Sequence, residues 1–283
     1  MTAQELVNRV KNLPPVSYAA LKLVNLLDQP AISNDEVVQV LKCDNVLTAK
    51  LLRACNSPYF GLEEPVSSVD QAVFLLGHQQ ILHIVLTLAF GSAMVVPLPG
   101  YVVEANELWR HSLTTAAAAE TAVAEIPALN AEPAVAFTVG LLHDIGKLVL
   151  GQTLTADQQT AIRDRIEQGQ ISRTEAEKEI VGADHTEVGA CLLQNWHLPD
   201  DIIEAVAHHH NPVLEPQPRL SVLTHVANCL AHLAGSAPGW DAYAVRVNER
   251  VNRAFDITGD RLETMVIAVR DSFDKVDQFM TMA

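Results

Sequence analysis

Apolar residues recur at helical spacing along nearly the whole chain, and no stretch shows sustained apolar–polar alternation. Leu6, Val10 and Leu13 share one stripe before Pro14-Pro15. Leu21, Val24 and Leu27 line a second helix that starts near Ser17 and ends near Pro30. Ser33 with Glu36 forms a capping box ahead of Val37, Val38, Val40 and Leu41. Asp44 is the expected N-cap of a helix on which Val46, Leu47, Leu51 and Leu52 share a face. That helix ends at Asn56-Ser57-Pro58, where proline forbids ordinary continuation. Ser67 or Ser68 caps a helix reaching Gly77, and another fills the uncharged stretch beyond it. Further helices are expected over about 104–126, 132–151, 157–168, 173–181, 185–196, 199–209, 218–234 and 259–281. The pattern predicts an all-α protein. The Pro97–Gly100 stretch is the best internal boundary, dividing residues 1–97 from 98–283. The short connections favour packing as one compact unit.

One segment requires a membrane test. From Gln71 to Val103 there is no Asp, Glu, Lys or Arg. Gly77-His78-Gln79-Gln80 and His83 interrupt the run, and Ile84 to Val96 spans only 13 residues. A spanning helix needs roughly 18 to 20, so a buried helix is expected rather than a membrane span.

Charge narrows the function classes. The 283 residues carry 19 Lys+Arg against 34 Asp+Glu, a net charge of −15, and 49% are hydrophobic. Such a chain folds around a core, and it is poorly suited to gripping nucleic acid or an anionic membrane. Cys43, Cys55, Cys191 and Cys229 form no CxxC pair and are expected as small core residues. The first residues do not read as a signal peptide, so a cytoplasmic location is expected.

The candidate chemistry lies in eleven histidines. Gly140-Leu141-Leu142-His143-Asp144-Ile145-Gly146-Lys147 sets a His-Asp pair after an apolar run. Imidazole and carboxylate together suit iron, manganese or magnesium better than a thiolate site would. Lys147, four residues after His143, is placed to offer its ammonium to a phosphate. His111 lies within another helix. His185 opens one, followed at four residues by Gly189, which permits close approach. His208-His209-His210 closes a further helix, where the macrodipole alone would favour imidazolium. His78, His83, His197, His225 and His232 are expected to pack or hydrogen-bond. His225 and His232 flank Asn228 at helical spacing, so one of them could serve as a further ligand. Glu63-Glu64 and Asp200-Asp201 read as loop or helix-start charges, and no glycine-rich phosphate loop or GxSxG elbow occurs.

The order His111, His143-Asp144, His185, His209-His210 resembles the HD superfamily of metal-dependent phosphohydrolases. In that family a distant Asp completes the metal site within a "VAD" pattern; here the matching text is Val226-Ala227-Asn228. An Asn carbonyl can coordinate but brings no charge. Leu13-Pro14-Pro15-Val16, Asp44-Asn45-Val46-Leu47-Thr48-Ala49-Lys50-Leu51-Leu52 and Asn56-Ser57-Pro58-Tyr59-Phe60-Gly61 are similar to the HDOD family, HD-related output domains of bacterial signalling. This resemblance covers about residues 10–232. It implies an N-terminal helical bundle packed on an HD-like core, with a C-terminal helical extension. It also implies a metal site at His111, His143, Asp144, His185, His209, His210 and Asn228. The expected function is regulation through contacts with signalling proteins, with association into oligomers open. The alternative is an active phosphohydrolase acting on a phosphorylated small molecule, with Lys147 and Asp144 catalytic. The related HD-GYP family carries Gly-Tyr-Pro after its paired histidines. This chain has Asn211-Pro212-Val213-Leu214-Glu215-Pro216 instead, which disfavours cyclic di-GMP hydrolysis.

Overall fold

Polar caps open most of the helices. The computed structural model describes residues 1–10, 16–27, 32–98, 101, 103–168, 171–214, 219–238 and 247–282. The landmarks Leu13, Pro14, Pro15, Pro30, Gly100, Glu215 and Pro216 lie outside them. The chain is all-α: among the described residues the only β-type pairing is an isolated bridge between Leu98 and Val103. The helices are α1 (Ala3–Arg9), α2 (Tyr18–Leu26), α3 (Asn34–Lys42), α4 (Asn45–Cys55), α5 (Val69–Met94), α6 (Glu107–Glu125), α7 (Pro133–Leu142) and α8 (Gly146–Thr153). They continue as α9 (Ala156–Glu167), α10 (Arg173–Val181), α11 (His185–Asn195), α12 (Asp200–His208), α13 (Arg219–Ala234), α14 (Glu249–Phe255), α15 (Gly259–Asp271) and α16 (Phe273–Met282).

Ser33 and Glu36 form the expected capping box, and Asp44 and Ser68 accept the backbone N–H groups of Leu47 and Gln71. Such caps satisfy donors that the first helical turn leaves unpaired. Asn56 explains the signature after α4. Its side-chain amide donates to Val66 O at 2.9 Å, and its Oδ1 accepts from Val66 N–H at 2.7 Å, clamping the loop between. The two helices expected on either side of Gly77 form one span with a sharp break there, where Gly77 has φ 77°. Beyond that break, Ile81, Leu82 and the run from Ile84 to Leu86 are buried, so the uncharged stretch is core.

The structure departs from the sequence pattern at several places. The expected helix over 132–151 is interrupted at 143–145, and the helix over 259–281 is interrupted at Ser272. Helix α14 had no periodic signal of its own. Val46 is 69% exposed, because the face of α4 that meets the core is set by Leu47, Leu51 and Ala54. Cys43 is exposed, at the C-cap of α3, whereas Cys55 and Cys229 are buried.

Among the described residues two hydrophobic cores result. The larger runs from α1 through α12 without a gap at residue 98 and takes in Val276 of α16. The smaller joins the second half of α6 (Ala118, Ala119, Ala122) to α13 (Leu223, Val226, Leu230) and α15 (Met265, Val269). Helix α1 packs on α11 and α8, and α6 packs on both α7 and α13. The histidines collect where α6, α11 and α12 meet the turn between α7 and α8.

Candidate metal centre

The site gathers at residues 143–145, where α7 gives way to α8. Here the backbone tightens into three-residue bonds, Ile145 N–H to Leu142 O at 3.0 Å and Lys147 N–H to Asp144 O at 2.9 Å. His143 Nε2 and Asp144 Oδ2 then lie 3.3 Å apart. Two glycines allow neighbouring helices to close on this turn. A β-carbon at Gly140 would meet Ala116 Cα at 2.7 Å, and one at Gly146 would meet His185 O at 1.9 Å. Gly189 faces Gly146 across the α8–α11 contact, which is the close approach its position predicted.

Asp144 is the hub. Its Oδ2 lies 3.6 Å from His111 Nε2 and 2.8 Å from Lys147 Nζ. Its Oδ1 lies 3.5 Å from His185 Nε2 and 3.8 Å from His209 Nε2. The Nε2 atoms of His185 and His210 are 3.1 Å apart. Two donor groups share the aspartate: His111, His143 and Asp144 on one side, and Asp144, His185, His209 and His210 on the other. Within each group the donor atoms lie within 4.8 Å of one another. Opposite ligands of an ion bound at roughly 2.1 Å stand about 4.2 Å apart, so a small contraction closes either group on a cation.

The hydrogen bonds fix which nitrogen faces inward. His111 Nδ1 meets Ser236 O at 2.7 Å, His143 Nδ1 meets Gly140 O at 2.8 Å, and His209 Nδ1 meets Val206 O at 2.8 Å. A carbonyl oxygen only accepts, so each Nδ1 carries the hydrogen and each ring turns its Nε2, the nitrogen left for a ligand bond, to the centre. Those three Nε2 atoms and Asp144 Oδ1 are buried without a hydrogen-bond partner. Burying lone pairs without a partner is costly, and a cation would satisfy all of them. The residues present therefore fit a metal.

Electrostatics agree. Burial, reinforced by neighbouring imidazoles, holds His111 and His209 well below the usual histidine range, so both are neutral at neutral pH. Burial opposes the charge on Asp144, but the His143 ring and the Lys147 ammonium outweigh it and hold the carboxyl well below its usual range. Burial also pulls His185 down, and the buried Glu177 carboxylate overcomes it, leaving His185 raised.

Sequence reasoning missed Glu177. Its Oε2 accepts from His185 Nδ1 at 2.7 Å, and its Oε1 accepts from Tyr101 Oη at 2.9 Å. The available signal was an acid beside Ala176 and four residues before Val181 on the inward face of α10. His232, expected to pack or to stand in for a missing ligand, has its ring centroid 4.8 Å from that of His111. Asn228 is buried between His225 and His232 on one face of α13, and its Oδ1 has no hydrogen-bond partner. His225 cannot substitute as a ligand: Nδ1 donates to His209 O at 2.8 Å, and Nε2 accepts from Asn248 N–H at 2.9 Å. His83 stacks on Phe137 of α7 at 4.0 Å, which carries its packing beyond the N-terminal helices. His197, expected to pack, is exposed with φ 57° after the C-cap of α11.

An all-α fold with a histidine-lined HD turn defines the class, and the comparisons give the family. Residues 13–212 match the HDOD domain model, and the chain belongs to the HDOD family. A Marinobacter aquaeolei structure, carrying the provisional name of a signal transduction protein, is similar at TM-score 0.77 and 21% identity. That similarity covers 99% of this chain and 65% of the other. A Shewanella amazonensis structure provisionally named a phosphohydrolase is similar at TM-score 0.70 and 23% identity, covering 98% of this chain and 97% of that one. At these identities the likeness is one of fold. An uncharacterized Treponema pallidum protein is 24% identical over 83% of this chain, which spans only 45% of that relative's length.

Proposed function

We propose that this chain is a metal-binding bacterial signalling module of the HDOD type, acting in the cytoplasm through contacts with other signalling proteins rather than by turnover. The observation that carries the reading is the sharing of Asp144 between two donor groups whose members, His210 excepted, are buried. A pair of cations is the occupant that fits. Iron or manganese suits five imidazoles and one bridging carboxylate better than magnesium does, since magnesium prefers oxygen donors. Asn228 leaves one fewer anion at the centre. The −15 net charge lies outside the site, where it favours selected protein partners over polyanions.

A second reading, metal-dependent phosphoester hydrolysis, is favoured by one observation: Lys147 Nζ sits 2.8 Å from Asp144 Oδ2. A bound metal would supply Lewis acidity toward a phosphoryl oxygen. Lys147 would hold that phosphate, and the neutral Nε2 atoms would keep the cations in place. The purified protein, its metal content measured, is assayed with nucleotides and cyclic dinucleotides in Mn²⁺ and in Fe²⁺. Bound metal with no turnover supports the signalling reading. Turnover abolished by His143→Ala would overturn it in favour of the enzyme.

A further inference from the structure

The donors of both groups stand on elements of the larger core: His143, Asp144, His185, His209 and His210, and His111 on the half of α6 that carries Leu108, Trp109 and Leu113. Helix α13 of the smaller core packs against both α6 and α12. Two threads tie the centre to the C-terminal helices. His111 Nδ1–H is held by Ser236 O, just past the end of α13 after Gly235 with φ 103°. His225 bridges His209 O to the backbone N–H of Asn248, the residue that caps α14. Both ring nitrogens of His225 are committed: a carbonyl accepts from Nδ1–H, and Nε2 accepts from an amide that only donates.

From this arrangement we infer that His225 is a positioning residue that couples metal occupancy to the docking of α13–α15, so that the C-terminal helical layer is the part of the molecule that reports the filled site. This deepens the metal-binding reading and rests on it. The buried Nε2 atoms of His111, His143 and His209 and Oδ1 of Asp144 lack a hydrogen-bond partner. Unpaired buried acceptors disfavour close packing of the elements that carry them. A bound cation would satisfy them and so fix His111 and His209 in place. The smaller core then receives its order through His209, His225 and Asn248 on one line and through His111 and Ser236 on the other. Arg270 reinforces the second line, donating to Ala234 O at 3.2 Å.

The test is amide hydrogen exchange on the full chain, stripped with EDTA and then reloaded with Mn²⁺, with bound manganese counted in parallel. Loading is expected to slow exchange over 222–236 and 249–269 by roughly tenfold, while 37–55 in α3 and α4 changes less than about twofold. Asn248→Pro removes the amide donor to His225 and suits the native φ of −58°, but also removes the side-chain cap of α14, which Asn248→Ala, the control, removes alone. The proline variant should still take up manganese and lose most of the change over 249–269, which the control should keep. His225→Phe, with folding checked by circular dichroism, should lose that change as well. Manganese bound at full stoichiometry with no change over 249–269 overturns the coupling alone. So does a change that survives in both Asn248→Pro and His225→Phe. A chain that takes up no manganese overturns the metal reading and this inference with it.

Discussion

Glu177 and His185 are joined twice: one carboxylate oxygen accepts both the backbone N–H of His185, at 2.9 Å, and its ring Nδ1–H, at 2.7 Å. The other oxygen holds the Tyr101 hydroxyl at 2.9 Å. A carboxylate behind a ligating imidazole fixes the tautomer and raises the basicity of the opposite nitrogen. Glu177→Gln removes the negative charge behind His185 and leaves an amide, a weaker acceptor, at its ring Nδ1–H. Metal affinity should fall roughly 10- to 100-fold, measured by competition with a chelator of known affinity. Unchanged affinity would remove Glu177 from the site.

Gly146 is required by space, since a β-carbon there would lie 1.9 Å from His185 O. Gly146→Ala must push α8 away from α11 and should destabilise the fold by about 3 kcal/mol or more, as severe overpacking does. Gly259→Ala is the control, because nothing lies within 4 Å of its added carbon. It should be neutral or stabilising by roughly 0.5 kcal/mol. Urea unfolding of both variants decides the matter, and equal midpoints would contradict the packing.

Asn228→Asp restores a carboxylate at a buried position whose present side-chain oxygen has no partner. Manganese affinity should rise by about tenfold, through the added Coulomb attraction. Isothermal titration at constant salt reads this directly. Weaker binding in the variant would place position 228 outside the cations' reach.

His83 gives a pH dependence separate from the metal centre. Burial, and after it the charge of Lys275, pushes His83 down to about 3 from its ordinary 6.5. Below about pH 6.5 the unfolded chain binds a proton that the folded chain refuses. The contribution is therefore fully present above about pH 6.5 and is lost as pH falls toward about 3. His83→Phe keeps a ring against Phe137 and should flatten the fall in unfolding free energy between neutral and acidic pH by up to one proton. An identical slope in variant and parent would show that His83 takes up its proton without unfolding.

Helical periodicity and caps made the all-α fold legible, and the spacing of His111, His143-Asp144, His185 and His209-His210 selected residues that converge on one carboxylate. The break at 143–145 was not legible, because its residues keep helical backbone angles and an apolar pattern runs through them. The support given by Ser236, Gly140 and Val206 comes from carbonyl oxygens, which every residue possesses. Glu177 lay within a helix rich in exposed acids, where only its place on the inward face set it apart. Asn248 belongs to a segment whose packing depends on the smaller core, and no local spacing announces that.

Asp144 is placed to serve two cations. Metal content is measured by mass spectrometry after purification and reconstitution with manganese or iron. Two ions are expected per wild-type chain, one in His111→Ala and none in Asp144→Ala, with all three proteins folded by circular dichroism. A wild-type chain that binds no metal, or an Asp144→Ala chain that keeps both ions, would contradict the sharing of Asp144.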